Sequence, residues 1–454
     1  PQPRDRALHR TGLRRAGVSR GDRVFLRIGN TLDFPILFFA ASGMGALPVP
    51  ISPMVTTREL AEMEALLAPR LILQPESGAG GGPCRTLPIR EARGFRDLPP
   101  SDWADTGAGD PAYCVFTSGT GGAPKAVVHA HRAAYARRMM WADWYGLRAG
   151  DRMLHAGAIN WTFTLGTGLM DPWAAGATAL IYTGPPAPRL WGQLAERLRP
   201  SLFAAAPGVY RQIVKPEVFR PAQFRSLRHG LSAGEAMPAS VRARWEDATG
   251  IPVLEALGMT EISTYISQSP AKPGLYRPQT GRTVAILGET APRPLAWEQP
   301  GRLSVAVDDP GLMLGYWENG APRLPLEDGW FVTGDRAALR RDGHLTYLGR
   351  SDCLITTGGY RISPVEVEAV LTTHPAVAEA AVLPLAVRAD VEVLTAVVAP
   401  AQAITEEILA GHCAKNLARY KTPRKFIFRD QLPRTGRGKT DYKALIAEHS
   451  WKAP

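Results

Sequence analysis

The chain has 454 residues, 53 of them Lys or Arg and 42 Asp or Glu, for a formal net charge of +11. That length exceeds what one hydrophobic core normally serves, so more than one folded unit is expected, and 45% hydrophobic against 21% charged residues excludes a disordered chain. The basic excess is mostly scattered arginine, seldom interleaved with aromatics, which disfavours nucleic-acid binding.

In chain order, β-rich runs at 23–28, 71–73, 113–117, 177–182 and 202–205 predict strands, and amphipathic segments at 57–67 and 190–198 predict helices. The uncharged stretch 34–51 is interrupted by Pro35, Gly43, Gly45, Pro48 and Pro50, so it reads as a buried helix leading into a core strand and not as a membrane span. After Thr280 short strands at 301–307 and 345–349 alternate with turn residues, which predicts a β-rich subdomain over about 281–349. A helix at 364–371, strands at 378–382 and 394–398, a helix at 406–418 and a strand at 425–428 close the chain. The order predicts an α/β fold. Its large N-terminal domain, residues 1–349, would hold stacked, mostly parallel sheets flanked by helices together with the β-rich subdomain. A small α+β C-terminal domain, 350–454, would follow.

Cys84, Cys114, Cys353 and Cys413 form no CxxC pair. This disfavours zinc and a disulfide framework, and a reducing cytoplasm fits best. No signal peptide is visible, and because the chain opens on Pro1 instead of Met, an upstream piece is expected. Only nine residues are lysines, at 125, 215, 272, 415, 421, 425, 439, 443 and 452. Those at 415, 421 and 425 read as ordinary surface charges.

The most informative segment is YCVFTSGTGGAPKAVVH, from Tyr113 to His129. A strand runs into Thr117, Ser118, Gly119, Thr120, Gly121 and Gly122, with Lys125 following Pro124. Glycines let backbone bend around a polyphosphate while hydroxyls, N–H groups and a lysine face its oxygens. It is not a Walker A loop, because Pro124 stands where the second Gly belongs and Ala126 follows the lysine. His129 and His131 read as hydrogen-bonding groups at a helix start and not as catalysts.

This loop resembles the phosphate signature of the adenylate-forming superfamily, which comprises acyl-CoA synthetases, peptide-synthetase adenylation domains and luciferases. Gly121 and Ala126 depart from the Thr and Gly usual there. Further segments fit in the family's order: LSAGEAMP at 231–238, LGMTEI at 257–262, GWFVTGD at 329–335, YLGRSDCLITTGGYRISPVEVE at 347–368 and LPRTGRGKTDYKAL at 432–445. Each alone is weak, since Gly-rich turns and turn aspartates are common.

The resemblance implies ATP contacts from Thr117, Ser118, Gly119, Thr120, Gly122, Lys125, Gly234, Glu235, Ala236, Leu257, Gly258, Met259, Asp335 and Arg350. Leu257 replaces an aromatic that packs on adenine, so weaker nucleotide binding is expected there. Thr260 would touch the AMP phosphate, and Glu261 with Thr120 would hold Mg²⁺. Asp335, at a tight turn ending its strand, would accept both ribose hydroxyls. Asp352 would be the hinge, within a boundary at 350–352. Gly358, Gly359 and Arg361 would line the coenzyme A path. Lys439, in a mobile loop, would bind the carboxylate and the α-phosphate.

The segment from His155 to Ala177 is most similar to short- or medium-chain and aromatic acyl-CoA synthetases, with Trp161 and Gly258 shaping the acyl pocket. The implied activity is AMP-forming carboxylate–CoA ligation, using ATP, Mg²⁺, coenzyme A and a small carboxylic acid, in a chain of bacterial type. In the family the small domain swings between the two half-reactions. A carrier-protein adenylation domain and a non-catalytic nucleotide- or protein-binding descendant are the alternatives, and a homodimer is left open.

Overall fold

The computed structural model describes residues 3–75, 84–118, 124–350, 355–357, 360–388, 391–417, 421–435 and 438–449. Two sheets dominate the large part of the chain. In the first, four parallel strands run in the order Leu47–Pro50, Arg23–Leu26, Leu71–Gln74 and Thr86–Pro88. The uncharged stretch forms the helix Asp33–Gly43 and the strand Leu47–Pro50, and Phe34, Leu37 and Phe38 enter the core.

The second sheet has eleven strands. One half is parallel: Thr178–Leu180, Arg152–His155, Leu202–Ala205, His229–Ala233 and Val253–Met259. From Ser263–Ser269 onward every pairing is antiparallel, through Lys272–Pro278, Leu345–Arg350, Trp330–Leu339, Gly301–Ala306 and Val284–Leu287. The β-rich strands after 280 therefore continue the hydrogen-bonded surface of the parallel half through the pair Tyr276–Leu345.

A third sheet carries the glycine-rich loop. Its strands Pro111–Ser118 and Pro124–Ala130 pair antiparallel, and Gly315–Glu318 joins the second of them. The helix Thr57–Leu67 has its predicted limits because Thr56 and Glu59 form a capping box. A buried Arg137 to Asp171 ion pair, joined by the Tyr145 hydroxyl at 2.6 Å, ties the helix Arg132–Arg138 to the short helix Asp171–Ala174, between the parallel strands Arg152–His155 and Thr178–Leu180. Arg282 and Asp309 form a second pair with no solvent exposure.

In the C-terminal part, Val377–Arg388, Val391–Pro400 and Lys425–Phe428 form a sheet covered by the helices Pro364–Thr372 and Glu406–Asn416. The first two strands are longer than expected because they form a continuous antiparallel ribbon. No helix among the described residues is long and apolar enough to cross a membrane.

Candidate active site

Parallel strands place the residues that follow them along one edge of a sheet, where α/β folds bind ligands. Trp161 follows the strand Arg152–His155, Gly234 to Ala236 follow His229–Ala233, and Thr260 and Glu261 follow Val253–Met259. Gly234 has φ of 101°, a backbone state side chains rarely adopt, and a Cβ there would lie 2.9 Å from Cζ2 of Trp161. The two segments thus close on each other, with the indole packed over glycine backbone. Trp161 also meets Phe163 edge to face, with ring centroids 5.3 Å apart.

Gly258 sits at a register shift between Val253–Met259 and Ser263–Ser269, where a Cβ would come within 2.8 Å of the Ser263 carbonyl oxygen. Leu257 and Met259 are half-buried and pack against the apolar cluster around Ile262 and Tyr265. Thr260 and Glu261 occupy the turn between those strands. The Thr260 carbonyl accepts from Nε2 of His129 at 2.8 Å, which requires that nitrogen to carry the proton.

His129 is therefore not at a helix start. It lies within the strand Pro124–Ala130, fully buried, stacked on Tyr113 at 4.8 Å, and burial lowers its pKa to about 4. His131 does precede the helix Arg132–Arg138 but caps it with no side-chain bond.

Glu261 is buried, and its Oε1 accepts from the Tyr316 hydroxyl at 2.8 Å. Burial first, and the Glu261 carboxylate second, raise the Tyr316 pKa, so the phenol keeps its proton. The same ring faces Lys125, whose Nζ stands 4.7 Å from the centroid. Tyr316 thus joins the lysine of the glycine-rich segment to the carboxylate of the Thr-Glu turn. It lies in the plain strand sequence GYW, and sequence reasoning missed it.

Thr117 pairs in register with Lys125, and the Ser118 backbone with Pro124. Gly119, Thr120 and Gly122 lie outside the described residues, so Thr120 stands with no described geometry as a metal ligand.

Asp335 does not end its strand at a tight turn. It lies inside Trp330–Leu339, at an irregularity in the pairing with Gly301–Ala306, and its register partner on the other side is Arg350. Gly334, at φ 79°, lets the backbone bulge there without stopping the strand. Asp335 Oδ1 accepts from the Tyr347 hydroxyl at 3.1 Å. Arg350 is exposed and close to Gly334, and its charge is felt at Tyr316.

Lys439 reaches the same edge from the C-terminal part. A Cβ on Gly208, just beyond the strand Leu202–Ala205, would lie 3.9 Å from the Gly438 carbonyl oxygen. Burial raises the Glu235 pKa, while the charges of Lys439, Arg211 and Arg434 pull it down. Asp352, Gly358 and Gly359 lie outside the described residues, and for Arg361 only the backbone is described, paired with Thr356.

A family model described as "AMP-binding enzyme" matches residues 10–317, and one described as "AMP-binding enzyme C-terminal domain" matches 366–439. The chain belongs to the AMP-binding enzyme family. Among relatives of this AMP-binding enzyme is a 3-hydroxybenzoate–CoA ligase of Aromatoleum sp. (strain CIB), 29% identical and covering 95% of this chain and 88% of its own. A benzoate–CoA ligase of Thauera aromatica is also 29% identical, over 93% of this chain and 85% of its own. An anthranilate CoA ligase solved with anthranoyl-AMP superposes with a TM-score of 0.87 at 26% identity, covering 98% of this chain and 91% of that one.

Proposed function

We propose that this AMP-binding enzyme is an acid–thiol ligase that joins an aromatic carboxylic acid to coenzyme A through an acyl-adenylate. The ligase activity is supported by the family match and by relatives along nearly the whole chain whose names state CoA ligation. The aromatic class rests on the benzoate and hydroxybenzoate relatives and on Trp161 and Phe163 at the strand-end edge. The single observation that carries the site is the convergence of Lys125, Tyr316 and Glu261 beside the turn that holds Thr260.

In the first half-reaction a carboxylate oxygen of the acid bonds to the α-phosphorus of ATP as the bond to the bridging oxygen breaks, and pyrophosphate leaves. The acid is already ionised at neutral pH, so no base is needed. What remains is to position anions and balance their charge. In this proposal Lys125 and the 117–122 segment hold the phosphates, Thr260 contacts the α-phosphate, and Lys439 neutralises the carboxylate and phosphate as they meet. Asp335, with Arg350 opposite, receives the ribose, while Gly234, Glu235, Ala236, Leu257, Gly258 and Met259 border the base and acyl group.

Glu261 fits a magnesium ion, because that ion is held by one or two carboxylates together with substrate phosphates. Among the described residues no larger cluster of His, Cys, Asp or Glu competes for it. A magnesium ion held there would supply charge neutralisation for the phosphates. The Tyr316 hydroxyl fixes one oxygen of the Glu261 carboxylate, which would hold the ion.

In the second half-reaction the coenzyme A sulfur bonds to the acyl carbon, the bond to the AMP oxygen breaks, and the thiol proton passes to solvent. Gly358, Gly359 and Arg361 would border the pantetheine path after the C-terminal part turns about Asp352 and withdraws Lys439.

The test is a pyrophosphate-release screen over short, medium, branched and aromatic acids, with and without coenzyme A. Release is expected with benzoate-type acids, and no release with any acid overturns the reading.

A further inference from the structure

The Lys439 loop is held against the body of the protein through a carboxylate that the reaction itself does not use. Glu379 lies on the strand Val377–Arg388, and each of its two oxygens meets a different guanidinium. Oε1 lies 3.0 Å from Nη1 of Arg211, on the helix Pro207–Ile213 that follows the parallel strand Leu202–Ala205. Oε2 lies 2.5 Å from Nη2 of Arg434, which begins the lysine loop.

Arg434 passes the contact onward, because its Nη1 donates to the Thr440 hydroxyl at 3.0 Å, beside Lys439. The loop closes on itself as the Thr435 amide donates to the Lys439 carbonyl at 2.8 Å. Among the described residues, the Ser240 hydroxyl also joins the same strand to the body, donating to the Ala378 carbonyl at 3.4 Å.

The three charged side chains are at most a quarter exposed: 20% for Arg211, 16% for Glu379 and 25% for Arg434. At that depth a paired carboxylate matters more than a surface ion pair. A guanidinium offers a planar fork of donors, so one carboxylate between two of them fixes direction as well as distance.

We propose that Glu379 is a positioning residue for adenylate formation: by holding Arg211 of the body and Arg434 of the loop on separate oxygens, it seats Lys439 at the strand-end site. This rests on the ligase reading above. The carboxylate favours the arrangement with Lys439 in place and has no part in bond-making. Its loss therefore slows the half-reaction that needs Lys439 and spares the one that does not.

The experiment uses the full chain and its Glu379→Gln variant, which keeps size and shape but loses the charge and one acceptor. Acid-dependent pyrophosphate release is expected to fall about tenfold, the scale of a coupling between two conformations. Conversion of supplied acyl-adenylate and coenzyme A to thioester is expected to stay within about twofold. Arg211→Gln should give the same split, and the double variant should be no slower than either single one, as for residues acting through one contact.

Hydrogen exchange gives a readout free of turnover. Amides of Thr435 and Gly438, both bonded within the loop, should exchange faster in both variants. Equal loss of both half-reactions, or no change in pyrophosphate release, overturns the proposal. If the unaltered chain releases no pyrophosphate with any acid, the ligase reading falls, and unchanged exchange in the variants then separately overturns the seating role.

Discussion

The Tyr316 hydroxyl donates to Oε1 of Glu261 at 2.8 Å while the face of the same ring carries the Lys125 ammonium. One side chain thus links a cation and an anion from different sheets. Two substitutions separate its functions. Tyr316→Phe keeps the ring and removes the donor, and a hydrogen bond to a charged group is worth about 1.5–3 kcal/mol, so adenylation should fall at least about tenfold. Tyr316→Leu also removes the ring face and should raise the KM for ATP further. Titrating pyrophosphate release against ATP and Mg²⁺ checks both.

Gly234 and Trp161 are bound together by space. Gly234→Ala introduces a Cβ into a positive-φ position and against the indole, so a loss of about 1–3 kcal/mol in stability is expected. Trp161→Ala should be tolerated by the fold and should move acid preference toward bulkier acids. Thermal melts and kcat/KM over a series of ring-substituted benzoates measure the two effects.

The Arg137 to Asp171 pair is a larger liability. Both side chains are under 4% exposed, and Tyr145 and Thr167 bond into the pair. Asp171→Asn leaves the guanidinium buried without its counter-charge, which costs about 3–5 kcal/mol. Denaturant melts should show that loss, while Arg20→Gln, which breaks a pair 61% and 40% exposed, should change stability by about 1 kcal/mol or less.

Acid should destabilise the protein through three buried histidines. Burial, the largest cause in each, lowers the pKa of His155 to about 3 and of His129 and His229 to about 4, from an ordinary 6.5. The unfolded chain therefore binds protons first as pH falls below 6.5. Stability from each ring is fully present above that pH and is lost as pH falls to the folded value, at about 1.4 kcal/mol per pH unit per histidine. His155→Leu should flatten the decline between pH 6.5 and 4, seen in urea midpoints across that range.

Much of this architecture was legible in the sequence because its signals are local. The capping box of Thr56 and Glu59, the β-branched and apolar runs, and the Gly-rich strings each sit within a few residues of what they determine. The fold class and the ligase family could be read from those strings in order. What escaped notice depends on partners distant in the chain. Tyr316 and Glu261 are 55 positions apart, as are Glu379 and Arg434, and nothing near either pair marks the contact. Asp335 differs for a related reason: Thr-Gly-Asp has turn composition, but pairing on both sides turns it into a bulge inside a strand. The helix that follows His129 suggests a helix start, whereas its register with Tyr113 places it in the sheet.

The most direct test of the central claim is a product balance. Benzoate, ATP, Mg²⁺ and coenzyme A are incubated with the full chain, and the products are separated and counted. The account predicts benzoyl-CoA, AMP and pyrophosphate in equal amounts, with all three suppressed by Lys439→Ala when ATP is the starting material. It also predicts that thioester still forms when benzoyl-adenylate is supplied to that variant. Formation of ADP in place of AMP, or thioester formation lost in both assays alike, would contradict it.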